Sequence, residues 1–376
     1  MLQPVRMTDA PEKAGALELA VVAPTFNERE NIPLLLERVA AALTGVSWEL
    51  IVVDDDSPDG TADVVRQLSL KDPRIRVIHR IGRRGLSSAV VEGVLSTAAP
   101  FVAVMDADLQ HDETLLPGML KVLRANDADI VVGSRYMDQG GVGDWDESRQ
   151  WKSRLATRLS RLVVKAELKD PMSGFFAFKR EMFDASVRRL SAQGYKILLD
   201  VIASAPNPPR IRELPYVFRQ RQHGESKLDM LVTLEYINLL LDKLFGRWVP
   251  VRFILFAAVG GLGVFVHMAV LSALVMSERA TFINAQTVAA LTAMTFNFFV
   301  NNVFTYRDRR LRGARQLAIG LLSFYLVCSF GMIANVGIAN FLFENRYSWI
   351  LSGVAGIIIG AAWNYVATSI FTWRAR

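Results

Sequence analysis

One cysteine and four histidines are all the thiol and imidazole ligands that these 376 residues carry. Cys328 lies alone in an apolar stretch, so neither a disulfide framework nor a cysteine-rich zinc site can be built. His79, His111, His223 and His267 are scattered, and none pairs with another at a metal-ligand spacing. Lysine is missing after Lys243, and beyond residue 249 the only acidic side chains are Glu278, Asp308 and Glu344. A glycine-rich phosphate loop is also missing: the first strand-to-helix turn reads PTFNERENIP, which excludes a dinucleotide site of the G-x-G-x-x-G kind. Residues 1–249 set 33 basic side chains against 34 acidic ones, so composition offers no basic face and nucleic acid is not an expected partner. DDDSPDG resembles the start of a calcium loop, but the twelfth position counted from Asp55 is Arg66 where glutamate is required.

The charge that is present is unevenly placed. Ten arginines in residues 250–376 carry the whole basic excess, and with the three acids they bracket four uncharged stretches, 253–277, 280–306, 316–343 and 347–373. About 20 apolar residues cross a bilayer core, so four transmembrane helices are expected, with the lipid bilayer as a partner. Five arginines fall in YRDRRLRGARQ (306–316) and two more, Arg374 and Arg376, at the end, against Arg279 and Arg346 in the other turns. The positive-inside bias then puts the middle loop and both termini in the cytoplasm. MLQPVRMTDAPEKAGALE has no apolar core, so no signal peptide is expected and residues 1 to about 249 are read as cytoplasmic. NFFVNNVFTYR (297–307) aligns with NYVATSIFTWR (364–374) at an offset of 67, the mark of a duplicated helical hairpin. Asn284, Gln286, Asn297, Asn301, Asn302, Asn335, Asn340 and Asn364 are costly against lipid and are expected to face other helices or a polar path.

Ahead of the tail, short apolar runs alternate with helical patterns: LAVVAP (19–24), ELIVVDD (49–55), RIRVIH (74–79), FVAVMDA (101–107) and DIVVGS (129–134). This is the pattern of an α/β domain with a mostly parallel sheet. Ligands bind such sheets beyond the carboxyl ends of the strands, and the unusual chemistry gathers there. Asp54, Asp55, Asp56 and Asp59 follow one run and Asp106, Asp108 and Asp112 another, a density of negative charge that is costly without a cation or hydrogen-bond donors. Asp106-Ala107-Asp108 puts two carboxylates on one side of an extended backbone, with Gln110 as the next step if the extension persists. Oxygen-only ligands suit Mg2+ or Mn2+, which bind through one or two carboxylates plus substrate phosphates. For Asp112, capping the next helix is the plain alternative.

In chain order, PTFNERENIP, VVDDDSPDGTAD, RIGRRGLSSAVVEG, MDADLQHD, VGSRY, DPMSGFFAFKR and RQRQHGESKL resemble the motifs of family 2 glycosyltransferases of the dolichyl-phosphate mannose synthase type. The likeness runs from residue 19 to about 230. It implies a GT-A fold, Rossmann-like with a mostly parallel sheet, a nucleotide diphosphate sugar donor, a divalent metal, and polyprenyl or dolichyl phosphate as acceptor. Carried over by position, Pro24, Asn27, Glu28, Asp54, Asp55 and Asp56 hold the nucleotide, and Asp106, Ala107 and Asp108 meet the donor phosphates. Asp108 and Gln110 hold the metal, and Arg135, Arg149 and Ser153 hold the acceptor phosphate. Asp106, Asp108 and Arg135 are the catalytic candidates. HGESKL (223–228) is then a loop that closes over the donor, with Lys227 and the upstream Arg219 and Arg221 neutralising the leaving diphosphate. The ending Phe-Thr-aromatic-Arg, used twice, resembles the GtrA-like family of four-helix membrane proteins.

These readings divide the chain into a tail (1–18), a GT-A domain (19–227) with a candidate interfacial helix at 149–168, an amphipathic interface helix (228–249) and a GtrA-like membrane domain (250–376), with an ordinary core helix as the alternative for each of the two amphipathic segments. The expected reaction is metal-assisted inverting displacement of a hexose onto polyprenyl phosphate. Mannose from GDP-mannose is the first choice, because DPMSGFF and GESKL look most like the mannose synthases, and glucose from UDP-glucose is the alternative. A processive polysaccharide synthase is expected to carry Gln-x-x-Arg-Trp before its membrane helices, and here Leu244 stands where that Gln should precede Arg247-Trp248. A lipid-sugar translocator would leave the aspartate clusters without purpose.

Overall fold

The computed structural model describes residues 16–138, 140–141, 157–161, 163–164, 168–191, 196–219, 230–246, 248–277 and 281–374. The chain divides into two compact units, Met1–Leu244 and Phe245–Arg376.

In the first unit, seven strands form one sheet: β1 (Leu19–Thr25), β2 (Trp48–Asp54), β3 (Ile75–His79), β4 (Phe101–Val104), β5 (Ile130–Ser134), β6 (Phe176–Lys179) and β7 (Ile211–Pro215). Their order is β3-β2-β1-β4-β6-β5-β7, and only β6 runs antiparallel, between β4 and β5. Alternation along β1 shows why the apolar runs are continuous. Leu19, Val21 and Ala23 enter one core with α1 (Asn31–Ala42), α2 (Thr61–Ser69) and α4 (Leu116–Arg124). Ala20 and Val22 enter a second core with α3 (Leu86–Leu95), α5 (Arg180–Ser186) and α6 (Ile197–Ser204). A sheet covered on both faces needs apolar residues at both parities. All the parallel strands end at one edge, so the loops after β1, β2, β3, β4 and β5 share that edge. The five expected strands are present, but β4 stops at Val104, short of the aspartates. β6 and β7 were not anticipated.

Helix α7 (Met230–Phe245) departs from a purely interfacial reading. Tyr236, Leu239 and Leu240 pack into the second core, and Lys243 Nζ lies 2.6 Å from the buried carboxylate of Asp200. Ile237, Leu244 and Phe245 remain exposed on other faces. Most of the 149–168 segment lies outside the described residues. Of its apolar stripe, Leu159 and Val163 pack against the same core.

The second unit holds α8 (Val251–Met276), α9 (Phe282–Val303), α10 (Ala314–Glu344) and α11 (Trp349–Phe371). All four contain a stretch long and apolar enough to cross a membrane, with mean hydropathy between 1.2 and 2.3, and large apolar side chains such as Phe265, Ile283, Ile333 and Ile357 point outward. The duplication expected from sequence has a spatial counterpart. Tyr306 and Trp373, equivalent positions of the two copies, stack with centroids 4.1 Å apart. The preceding spans align at an offset of 68, FAAVGGLGVF (256–265) with FYLVCSFGMI (324–333); Phe298 meets Phe324 at 5.8 Å, and their repeat equivalents, Tyr365 and Phe256, meet at 5.9 Å. In each hairpin an asparagine fits a glycine notch: a Cβ on Gly263 would strike Asn297, and one on Gly331 would strike Asn364. Asn301 and Asn302 are buried as expected. Asn284, Gln286 and Asn340 are exposed instead, because they lie within two turns of helix ends.

Candidate active site

The aspartates after β2 are held by internal donors. Asp54, fully buried, accepts from the hydroxyls of Thr25 (3.2 Å) and Ser57 (2.5 Å) and from the Ser57 N–H (3.0 Å). It therefore ties the ends of β1 and β2 together. Asp55 accepts from Arg80 Nη1 and from the Gly85 N–H, both at 2.6 Å. Burial raises its pKa above the ordinary carboxylate value, against the opposing pull of Gly85 and Arg80. The pair shapes the turn at 80–85, where Gly85 takes a φ of +140° that L side chains rarely adopt. Asp56, itself at a φ of 56°, is the open member of the three. The Gly82 N–H (3.1 Å) and then His79 Nε2 (3.2 Å) hold its pKa below the ordinary range. After β1, the Pro24 backbone pairs in register with Val53. The Asn27 N–H donates to Ser57 Oγ (2.9 Å) and the Glu28 N–H to Thr61 Oγ1 (3.1 Å), so the first two strand-end loops form one surface.

After β4 the expected extension breaks. Leu109 has a φ of 62°, so the period-two ladder stops at Asp108 and Gln110 reaches the site by a turn. The Asp106 side chain is 36% exposed. Ala107 and Asp108 are nearly buried, and Asp108 Oδ1 accepts the Gln110 N–H at 3.2 Å. Gly174 leaves the space that Asp106 occupies: a Cβ there would lie 2.6 Å from Asp106 Oδ2. Among the described residues no three His, Cys, Asp or Glu side chains form a complete metal cage. Two carboxylates and an amide oxygen at a partly open strand end fit a hard divalent cation that completes its shell with phosphate oxygens and water. Asp112 instead caps the short helical turn at Glu113–Leu115, accepting the Thr114 N–H at 3.2 Å.

Arg135 lies at the end of β5, nearly buried, in a forked pair with the fully buried Asp170: Nε at 2.7 Å and Nη2 at 2.8 Å. Burial opposes its charge, but Asp170 outweighs that and raises its pKa. Two of its nitrogens are thus already committed to a carboxylate. Arg219 is committed as well, to Asp112 (2.8 Å), Glu113 (2.6 Å) and the His111 carbonyl (3.2 Å). The Gln110 amide donates to the Arg219 carbonyl at 3.0 Å, and the two segments clamp each other. Arg149, Ser153, Arg221 and Lys227 lie outside the described residues. Asp170, Gly174, Arg80 and Tyr216 were not singled out from sequence, although three of them stand inside quoted motifs: DPMSG for Asp170 and Gly174, and, for Arg80, the start of RIGRRG.

Residues 20–186 match the family described as glycosyl transferase family 2, and residues 255–373 match the GtrA/DPMS transmembrane domain. The dolichol-phosphate mannosyltransferase of Pyrococcus furiosus is 32% identical over 362 residues, covering 95% of this chain and 99% of that one. The Mycosarcoma maydis protein of the same name is 37% identical over 250 residues, 63% of this chain and 83% of that one. A solved glucosyl-3-phosphoglycerate synthase from Mycobacterium tuberculosis, in complex with Mn2+, uridine diphosphate and glucosyl-3-phosphoglycerate, is 20% identical with a TM-score of 0.46, over 61% of this chain and 80% of that one. That likeness is too distant to support an argument about this site.

Proposed function

This chain belongs to the dolichol-phosphate mannosyltransferase family, a membrane-bound group of glycosyltransferases, and from that premise we propose that it moves mannose from GDP-mannose to dolichyl or another polyprenyl phosphate. The observation that carries the reading is the Asp106–Asp108 pair, partly open beside Gly174, at the sheet edge shared by the β1, β2 and β5 loops.

Donor and acceptor meet at that edge. The surface made by Pro24, Asn27, Glu28 and Asp56 receives the nucleotide, with Asp54 and Asp55 holding its floor in place. Asp106, Asp108 and Gln110 would hold Mg2+ or Mn2+, which when bound offsets the charge that builds on the leaving nucleoside diphosphate. An oxygen of the acceptor phosphate attacks the anomeric carbon. It is ionised at neutral pH, so the step does not need a strong general base. Attack from the face opposite the leaving group inverts the anomeric centre and gives a β-linked product from an α-linked donor. Arg135, aligned by Asp170, acts with Arg149 and Ser153 at the acceptor phosphate, where a planar guanidinium suits phosphate oxygens. Arg219, held by Asp112 and Glu113, and Lys227 neutralise the leaving diphosphate. The positive-inside bias supports a cytoplasmic site.

The test is a donor panel: the full chain in detergent, labelled GDP-mannose and UDP-glucose in turn, and dolichyl phosphate. One mannose per lipid is expected. Transfer from UDP-glucose alone would move the assignment to a glucosyltransferase, and a polymer would point to a processive synthase.

A further inference from the structure

His111 takes no part in the steps above, yet it is 2% exposed and bonded at both ring nitrogens. Nδ1 lies 2.9 Å from the Tyr216 hydroxyl, and Nε2 lies 3.4 Å from Asp106 Oδ2. An ionised carboxylate can only accept, so Nε2 bears the proton and donates to Asp106. Nδ1 shares the second bond with the Tyr216 hydroxyl, a group that can either donate or accept. The bonds therefore link Tyr216, His111 and Asp106 in one continuous chain. Its surroundings keep it from being replaced by water. Phe175, Tyr216 and Phe218 enclose the imidazole at centroid distances of 5.2, 5.8 and 5.6 Å, and Tyr216 is itself buried. In such a dry setting a lost bond leaves a polar atom without a substitute. On its other side Asp106 lies against Gly174, where a Cβ would come within 2.6 Å of Oδ2.

We infer that Tyr216 and His111 act as positioning residues that fix the Asp106 carboxylate in the orientation needed to present an oxygen to a divalent cation and the donor diphosphate. The inference rests on the metal reading of Asp106 given above. Hydrogen-bond partners behind a metal ligand typically change metal affinity by about 10–100-fold when removed, and the same scale is expected here.

The test is Mn2+ uptake by the full chain in detergent, with Mn2+ alone and with GDP or UDP, read from the resonance of the free ion. His111→Leu is expected to raise the half-saturating Mn2+ by about 10–100-fold. Tyr216→Phe, which removes one oxygen and keeps the ring, is expected to raise it by a smaller factor. His111→Gln, whose amide offers both a donor and an acceptor, is expected to restore most of the affinity. Because Tyr216 acts through His111, the double variant His111→Leu/Tyr216→Phe should bind no more weakly than His111→Leu. Wild-type affinity in both single variants would overturn the inference, and if His111→Leu does not fold, an unchanged Tyr216→Phe does so alone. A double variant weakened by the product of the two single effects would also overturn it. Absence of Mn2+ uptake by the wild-type chain would instead remove the metal assignment, which separates the two failures.

Discussion

Asp54 at the end of β2 and Asn302 in α9 are both buried polar side chains with several hydrogen bonds, yet they solve different problems. Asp54 collects the donors of Thr25 and Ser57 and so builds the floor of a ligand surface. Asn302 accepts from the Leu311 N–H (2.9 Å) and from Trp373 Nε1 (3.1 Å) and donates to the Leu311 carbonyl, which fastens two helices and a loop to one another. The first unit gathers negative charge, satisfies most of it and leaves part of it open. The second pairs neutral amides and hydroxyls between helices, as Thr295 with Tyr325, Ser323 with Thr372 and Tyr306 with Ser369 also show, although Asn297 Oδ1, Asn364 Oδ1 and Ser352 Oγ are buried without a hydrogen-bond partner among the described residues. In lipid an unsatisfied polar group has no water to turn to, so such groups serve as fasteners. At an aqueous sheet edge they can wait for a ligand. This difference suggests that chemistry belongs to the first unit and placement to the second.

The largest effect expected from this contrast is at Asp108. Asp108→Asn, which preserves shape in a nearly buried position, should lower transfer by at least about 10²–10³-fold, the scale of losing one group that stabilises developing charge. Thermal unfolding of the variant should stay near wild type, and EDTA should have the same effect on wild type, reversed by Mg2+ or Mn2+. Turnover of the wild type in metal-free buffer would break the contrast at its catalytic end.

The membrane unit should respond to volume. Gly331→Val drives a side chain into Asn364 between α10 and α11, and overpacking of this kind costs about 1–3 kcal/mol. The melting temperature of the full chain in detergent should fall, while nucleotide-sugar binding by the first unit persists. Gly263→Val, at the equivalent contact with Asn297, should do the same. If either variant abolished donor binding while leaving the melting temperature unchanged, the separation of roles would be wrong.

Smaller again is a charge effect remote from both sites. Arg210, with help from Lys179, holds the Asp129 pKa well below its ordinary value. A depressed carboxylate pKa contributes stability that is fully present above the unfolded value near pH 4 and is lost as pH falls through the lower folded value. Both partners are partly exposed, so the contribution should stay within about 1 kcal/mol. Asp129→Asn should be slightly less stable than wild type at pH 7, with the gap closing towards pH 2 in thermal melts. A gap that widens on acidification would contradict the assignment.

Legibility from sequence followed the same division. The four membrane helices were readable to within a few residues because charge is absent from them and present at their ends. The first five strands were readable because both faces of the sheet are covered. β6 and β7 were not, since FAFK and IRELP are too short for their pattern to stand out from the motifs around them. At the site, the identities of the clustered aspartates were readable but their partners were not. Nothing local links Arg80 to Asp55, 25 positions away, or Arg135 to Asp170, 35 away. Only the sheet brings them together. The turn at Leu109 was hidden as well, because leucine rarely takes a positive φ and gives no signal for one. For α7 the sequence left core helix and interfacial helix both open, since an amphipathic stripe looks the same whether a protein core or a lipid surface covers it.

The most direct measurement is transfer by a chain ending at Trp248, compared with the full chain on two acceptors. The account predicts that the shortened protein binds GDP-mannose as the full chain does and mannosylates a short, soluble polyprenyl phosphate in detergent. On long polyprenyl phosphate in liposomes it should lose most of its efficiency, because the membrane helices no longer hold the site where the acceptor is concentrated. A folded, donor-binding protein that transfers to neither acceptor would contradict the account and place part of the chemistry in residues 249–376.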